Sequence, residues 1–262
     1  MKTLKIIGNW KMNPKSTKEV EKCIKEYTSR IKLIKNVEHA LCPPSIYLSA
    51  FQKNKKVKYG AQDVHFEKEG AYTGGVSAQM ISSLGATLTL VGHSEKRNEG
   101  DTNEVVARKI ENALKAGLSI VLCVGEKSRD SSADYHIAVK RDLEESLVLF
   151  PKSKLTSLTI AYEPVWAIGK NAVRQATPEE SREMSVFIKK VLTDMYGSKG
   201  SDVPVLYGGS VTVENCEVFL REGGVQGLLV GRDSLNPIRF SKIVAKASQI
   251  SNSINTSTKS NK

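Results

Sequence analysis

The chain has 262 residues, a formal net charge of +11 and a hydrophobic fraction of 40%. This length allows one large domain or two ordinary ones, and the hydrophobic fraction is sufficient for a sizeable core. No segment approaches the roughly 20 apolar residues that a membrane-spanning helix requires, and the start of the chain lacks the layout of a secretory signal. We therefore expect a soluble globular protein of the cytoplasm.

The positive charge is spread along the chain. Its densest stretches, residues 30–35 and 53–58, alternate with apolar residues and carry no aromatic side chains on which bases could stack. This pattern favours a solvated surface over a nucleic-acid or membrane interface, although a small anionic substrate would still be attracted. No cysteine belongs to a CxxC pair, so we expect reduced thiols rather than disulfides or zinc ligands. The cysteines are Cys23, Cys42, Cys123 and Cys216.

Short runs rich in β-branched residues recur along the chain, and each is followed by a loop and a longer segment with helical period. They span residues 4–8, 37–42, 57–62, 87–92, 119–125, 157–162, 203–208 and 225–231. Strands that alternate with helices pair in parallel, because parallel neighbours need a long return connection. The pattern predicts an α/β fold of eight parallel strands, and it leaves open a closed barrel or a doubly wound sheet.

Two helices have clear start signals. Ser16 with Glu19 predicts a capping box, in which each residue satisfies a backbone N–H of the other. Thr177, Pro178 and Glu180 predict the start of a second helix, with apolar residues at three- and four-residue spacing after it. One face of each helix should therefore lie against the sheet.

The strand and helix pattern runs through the middle of the chain without a glycine- or proline-rich linker. We therefore predict one domain over residues 1–250. Its last helix should begin at Asn236 and Pro237. Residues 251–262 are polar and show no period, which predicts a disordered tail.

Polar side chains follow three of the predicted strands, at the end where parallel α/β proteins bind ligands. The stretches span residues 9–13, 92–95 and 161–169. Each alone also has a structural explanation: Lys11 as a surface charge, His93 as part of a capped turn, and Glu163 as one half of an ion pair. The third stretch favours a functional site, because an apolar loop that carries Trp166 can close over Glu163, exclude water and raise its basicity.

Glycine-rich turns follow the last two predicted strands, at residues 207–210 and 230–232. Glycines alone indicate tight turns, but barrels often bind phosphate with backbone N–H groups of these two loops. No GxxxxGK[ST], GxGxxG, HExxH or GxSxG pattern occurs. Nucleotide, metalloprotease and serine-hydrolase functions therefore have no support.

Together these stretches resemble the triosephosphate isomerase family over about residues 3–250. The matching motifs are GNWKMN at residues 8–13, GHSE at 92–95, AYEPVWAIG at 161–169 and YGGS at 207–210. The resemblance implies a single-domain (β/α)₈ TIM barrel that needs no cofactor or metal. It implies a homodimer that interconverts dihydroxyacetone phosphate and D-glyceraldehyde 3-phosphate in glycolysis and gluconeogenesis, with Thr73 of each protomer near Asn9 and Glu95 of the other.

The resemblance also assigns roles to individual residues. It implies that Glu163 is the base that moves a proton between two carbons through an enediolate, while His93 polarises the carbonyl as a neutral imidazole. Lys11 would offset the charge of phosphate and enediolate, Asn9 would donate a hydrogen bond to substrate, and Glu95 would hold the network under Lys11. The backbone N–H groups for the phosphate would be those of Gly169, Ser210, Gly231 and Arg232.

The chain departs from the family pattern at three places. Arg232 stands where the family often has a second glycine. Gly75 occupies a usual glutamate position and Lys96 a usual arginine position, so an ion pair across the dimer interface should be missing. The loop over residues 169–178 is two residues longer than usual and lacks its second glycine. We expect an altered tip and second hinge with closure over Glu163 preserved, or else a solvated bulge without kinetic effect.

Two other functions remain open from the residues. Another sugar-phosphate isomerase or lyase could use the same barrel, since a fold does not fix a function, but it would need a different base from Glu163. A basic nucleic-acid-binding protein on a catalytically inactive barrel would lack a catalytic residue, and none is missing. Both therefore rank below the isomerase.

Overall fold

The computed structural model describes residues 3–54, 56–129, 134–169 and 172–259. Its strands are β1 (Leu4–Asn9), β2 (Val37–Cys42), β3 (Lys58–Ala61), β4 (Leu88–Val91), β5 (Ser119–Val124), β6 (Leu158–Tyr162), β7 (Val205–Tyr207) and β8 (Gly227–Val230). Each strand pairs in parallel with the next, and β8 pairs with β1 to close the barrel. The predicted parallel strands and the TIM-barrel fold class are confirmed, and the open sheet is excluded.

Alternate side chains of the strands fill the inside of the barrel, because successive residues of a strand point to opposite faces. This interior cluster consists of Ile7, Ala40, Cys42, Leu88, Leu90, Val121, Cys123, Ala161, Leu206 and Leu229. A second and larger cluster packs the outer faces of the strands against the helices. The polar residues at the carboxyl ends of the strands therefore lie directly above a packed apolar core.

Helices follow the strands around the barrel. They are α1 (Thr17–Arg30), α2 (Leu48–Gln52), α3 (Ala78–Ser83), α4 (Ser94–Asn98), α5 (Asn103–Lys115), α6 (Asp134–Ser146), α7 (Pro178–Tyr196), α8 (Cys216–Glu222) and α9 (Pro237–Lys259). Short 3₁₀ turns lie at Ser45–Tyr47, Lys152–Ser157, Val165–Ala167, Gly197–Asp202 and Arg232–Leu235. No helix in these described ranges is long and apolar enough to cross a membrane.

The two predicted helix starts differ in detail. At α7, Thr177 and Glu180 form the full capping box. At α1, the Ser16 side chain accepts from the backbone N–H of Glu19, but the Glu19 carboxylate accepts from the N–H of Lys15 instead of Ser16. The predicted box at Ser16 is therefore half formed, because Lys15 offers the carboxylate a competing donor.

The last helix continues past residue 250. Asn36, which precedes β2, donates to the carbonyl of Ser248 at 2.9 Å and accepts from its hydroxyl at 2.6 Å. Ser251 donates to the Asn36 carbonyl at 3.4 Å. α9 runs to Lys259, so most of the tail predicted to be disordered is helical here, and residues 260–262 lie outside the described part of the chain.

Candidate active site

A cavity of about 790 Å³ opens at the carboxyl ends of the strands. It is lined by all the residues that the sequence singled out: Asn9, Lys11, His93, Glu95, Glu163, Gly169, Ser210, Gly231 and Arg232. A neighbouring cavity of about 670 Å³ shares only Glu163 with this set. The structure therefore brings the predicted site residues from five different strand ends into one place.

His93 lies immediately before α4 and caps it. Its Nδ1 accepts a hydrogen bond of 3.1 Å from the backbone N–H of Glu95. A ring nitrogen that accepts a hydrogen bond carries no proton. This arrangement gives a neutral imidazole with its proton on Nε2, which lies 3.2 Å from a carboxylate oxygen of Glu163. The local chain thus fixes the tautomer of His93 and directs an N–H donor into the cavity.

Glu163 follows β6 and is only 2% exposed. Its second carboxylate oxygen accepts from the backbone N–H of Ser94 at 3.0 Å. Two N–H donors compensate for the loss of water around this buried carboxylate. The fully buried Cys123 lies beside it, and burial together with the negative charge of Glu163 raises the pKa of the Cys123 thiol well above its ordinary value. Cys123 therefore stays a neutral neighbour.

Lys11 leaves β1 with a backbone φ of 52°. Its Nζ lies 2.8 Å from Oε1 of Glu95. The backbone N–H of Lys11 donates to the side-chain amide oxygen of Asn9 at 3.0 Å. The amide N–H groups of Asn9 are the donors that this side chain can offer a substrate. The Gln62 side chain donates to the carbonyls of Lys11 and Cys42, at 2.8 and 2.9 Å. Sequence reasoning missed Gln62, although it follows β3 as Lys11 follows β1.

The loops after β6, β7 and β8 also line the cavity and contribute backbone groups to it. Gly169 has a φ of 78°, which favours glycine, and the Ser210 hydroxyl donates to the Ala167 carbonyl at 3.0 Å. Within the described residues, the N–H groups of Gly169, Ser210 and Gly231 have no acceptor. Arg232 is exposed at the rim, where the 3₁₀ turn after β8 begins. Such unpaired N–H groups suit an anionic group.

The loop after Glu163 is fastened at both ends. Trp166 donates from Nε1 to the buried carboxylate of Glu126 at 2.7 Å, and the Tyr162 hydroxyl donates to the same oxygen at 2.8 Å. Burial raises the pKa of Glu126. At the other end, Arg174 stacks on the Trp166 ring at 4.5 Å and donates to Glu180 at 2.9 Å. We refer to residues 164–178 as the lid, of which residues 170 and 171 lie outside the described part.

Glu126 and Arg174 were also missed from the sequence. Glu126 follows β5 and looks like any loop carboxylate, and Arg174 looks like a solvated charge. Their partners lie on other loops, so only the fold reveals these contacts. Among the residues that the structure describes, no group of three or more His, Cys, Asp or Glu side chains could hold a metal ion.

Comparison with known sequences identifies the family. The sequence model described as Triosephosphate isomerase matches residues 4–247. The chain belongs to the triosephosphate isomerase family. It is accordingly an enzyme of the isomerase class.

Relatives in this family match over nearly their whole length. The triosephosphate isomerase of Dictyoglomus thermophilum is 39% identical over 246 residues, covering 91% of this chain and 97% of that protein. The Aquifex aeolicus enzyme is 37% identical, with the same coverage. The crystal structure of triosephosphate isomerase from Bartonella henselae has a TM-score of 0.82 at 33% identity, and covers 93% of this chain and 98% of that one.

Two family departures concern the rim next to Lys11. Lys96 donates to Glu99 at 2.6 Å and lies 4.0 Å from Asp63, so its ammonium group already forms ion pairs within the chain. Gly75 lies in an exposed loop and lines a third cavity of about 550 Å³, which is also lined by Lys11 and Lys96. A Cβ at Gly75 would lie 2.9 Å from the Tyr72 carbonyl. The turn itself therefore favours glycine at this position.

Proposed function

We propose that the protein interconverts dihydroxyacetone phosphate and D-glyceraldehyde 3-phosphate, with Glu163 as the base. The observation that carries the proposal is the convergence of Lys11, His93 and Glu163 in one cavity that also presents unpaired N–H groups. A steady-state assay with glyceraldehyde 3-phosphate, coupled to reduction of dihydroxyacetone phosphate, tests it. Absence of turnover in the purified, folded protein would contradict it.

Proton transfer requires Glu163 to move from its position in this structure. Its carboxylate accepts from the N–H groups of Ser94 and His93, so both of its oxygens already have hydrogen-bond partners within the protein. A substrate carbonyl that accepts from Nε2 of His93 takes the place of the carboxylate there. Glu163 is then released toward the substrate carbon, where it removes the proton and returns it to the neighbouring carbon.

Charge stabilisation comes from three groups around the carbonyl. Neutral His93 donates from Nε2 to the oxygen that becomes negative in the enediolate. Lys11 brings a positive charge that Glu95 holds in place at 2.8 Å, and Asn9 donates from its amide group. These donors are fixed before the substrate arrives, so little reorganisation accompanies the chemical step.

The phosphate would lie against the N–H groups of Gly169, Ser210, Gly231 and Arg232. An apolar lid over the bound substrate excludes water from the enediolate. The mechanism calls for no cofactor or metal.

We propose that two copies of the chain form a homodimer through the side next to Lys11. Met12 is 94% exposed and Ile46 is 78% exposed, which is unusual for such apolar side chains. In this assembly, the exposed loop that carries Thr73 would enter the 550 Å³ cavity of a second copy, near Asn9 and Glu95. Covering these apolar side chains would favour association.

We also place the enzyme in the cytoplasm, in glycolysis and gluconeogenesis, because its proposed substrates are phosphorylated sugars of central metabolism. The nucleic-acid-binding alternative gains no support from the structure or from the relatives. A different sugar-phosphate isomerase or lyase remains the nearest competitor. Turnover of other phosphorylated aldoses, measured alongside the triose, separates it from the proposed function.

A further inference from the structure

Asp233 is a buried carboxylate next to the phosphate side of the cavity. It lies in the 3₁₀ turn after β8, is 7% exposed and also lines the cavity. Its Oδ2 accepts from the backbone N–H of Val213 at 2.9 Å and lies 2.8 Å from Nη2 of Arg239. A buried carboxylate so close to a site for an anion needs a reason, because like charges repel.

Arg239 neutralises this carboxylate. It lies in the first turn of α9, where Asn236 accepts from its backbone N–H at 3.1 Å. Its Nη2 also lies 2.7 Å from Glu214. The guanidinium thus joins α9 to the turn after β8 and to the loop after β7. A carboxylate paired in this way adds little net charge near the phosphate.

The contacts of Asp233 connect the two loops that present N–H groups. On one side, the loop after β7 is internally fixed: Asn215 donates to the Ser210 carbonyl at 2.8 Å and accepts from Thr212 at 2.8 Å. The position of Val213 is therefore linked to that of Ser210. On the other side, Ser234 donates from both its N–H and its hydroxyl to the Gly231 carbonyl, at 2.9 and 2.7 Å.

We propose that Asp233 and Arg239 are a positioning pair that holds the loops after β7 and β8 at the spacing that a dianionic phosphate group requires. The inference rests on the proposed function, because it assigns the phosphate to these loops. Asp233 touches no substrate atom; it acts through Val213 and through its own turn. The negative charge is tolerated because Arg239 is paired with it.

The first test compares Asp233→Ala with Asp233→Asn. The alanine variant loses the bond to Val213, whereas asparagine keeps an amide oxygen that accepts from the same N–H. We expect Asp233→Ala to raise KM and the Kd of inorganic phosphate by at least about fivefold, the effect of losing one charge-assisted hydrogen bond, with kcat changed less than about twofold. Asp233→Asn should restore most of the binding. Asp194→Ala, which removes an exposed ion pair with Lys190 on α7, is the control and should leave both constants near the parental values.

The second test uses the sign of the charge. Arg239→Met leaves the Asp233 carboxylate unpaired beside the phosphate, and should weaken phosphate binding more than the Asp233→Asn/Arg239→Met double variant does. Calorimetric titration with inorganic phosphate needs no turnover. A parental Kd in folded Asp233→Ala, or a double variant weaker than Arg239→Met, overturns the positioning pair. If Asp233→Ala does not fold, the Arg239→Met comparison decides. If the variants bind phosphate as expected but the unaltered protein shows no isomerase turnover, the proposed function is overturned and the positioning pair is not.

Discussion

The indole of Trp166 and the carboxylate of Glu126 are joined by a hydrogen bond of 2.7 Å inside the protein. Trp166 belongs to the lid and Glu126 to the loop after β5, so the bond joins the lid to the barrel. Arg174 also contacts the indole, by stacking on the ring at 4.5 Å. Any movement of Trp166 out of this position would therefore have to break specific contacts.

Replacing Glu163 with glutamine should lower kcat by about 10²–10⁴-fold, because an amide cannot accept the carbon-bound proton. KM should change much less, since the phosphate contacts remain. Glu183→Gln, on the outer surface of α7, serves as the control and should keep the parental kcat. A parental kcat in Glu163→Gln would remove this residue as the base.

Replacing Lys11 with methionine should raise KM and lower kcat together. The positive charge acts on the phosphate in the bound state and on the enediolate in the transition state, so both constants depend on it. Steady-state kinetics at low and high salt measure the two effects. If only the midpoint of thermal unfolding changed, Lys11 would have a structural role instead.

Shortening the lid to the usual Gly-Thr-Gly-Lys-Thr should change kcat or the methylglyoxal released per turnover, because the lid keeps water from the enediolate. Arg174→Ala is the matching point variant. It removes the contacts to Trp166 and Glu180 without changing the lid length. Should both variants match the parent in both measurements, the longer loop is a solvated bulge without kinetic effect.

Sedimentation at micromolar concentration should show a homodimer. The absent pair between Gly75 and Lys96 should matter little, since an exposed ion pair contributes roughly 0–1 kcal/mol. Met12→Glu would place a charge in the proposed interface, and it should shift the equilibrium to monomers with reduced activity. An active monomer of the unaltered chain at that concentration contradicts the proposed assembly.

The raised pKa of Glu126 predicts a pH dependence of stability. Burial is the main cause, and the hydrogen bonds from Trp166 and Tyr162 oppose it. An acid whose pKa is higher in the folded state binds more protons there, so the free energy of unfolding falls as pH rises from the ordinary pKa through the raised one. Glu126→Gln stays uncharged and should remove this fall.

The measurement is the midpoint of thermal unfolding from pH 4.5 to 8, a range chosen to begin near the ordinary pKa of glutamate, about 4.3. The advantage of Glu126→Gln over the parent should grow with pH. Glu214→Gln is the control, because Arg239 lowers the pKa of Glu214 to about 2. Its contribution is therefore complete above the ordinary pKa and is lost only at lower pH, so its difference from the parent should be constant. A constant difference for Glu126→Gln would contradict the prediction.

The strands, and the meeting of the predicted site residues in one cavity, were predictable because both depend on local sequence. Apolar runs mark the buried strands, and polar residues directly after them, such as Lys11 and Glu163, lie at the ligand-binding end of a parallel barrel. The supporting contacts were not predictable. Glu126 meets Trp166 and Asp233 meets Val213 only because the barrel closes, and nothing in the local sequence distinguishes these acids from solvated ones.

At the end of the chain, the local sequence predicted less order than the structure has. Polar composition and the absence of a period favoured disorder after residue 250, yet α9 continues. A helix that has already started adds residues easily, because each one contributes a further backbone hydrogen bond. Asn36 also fixes the helix near Ser248. Neither the ease of helix extension nor the contact with Asn36 can be predicted from composition alone.

The backbone of Lys11 has a φ of 52°, so the role that we propose for this side chain opposes thermal stability at the same residue. A side chain in the left-handed region costs about 1–2 kcal/mol, and glycine avoids that penalty. Selection of variants for heat resistance alone would therefore tend to recover Lys11→Gly, and under the proposed mechanism these more stable variants would lack the cation that offsets the charge of the substrate. Laboratory evolution of this barrel needs turnover as a selected trait from its first round.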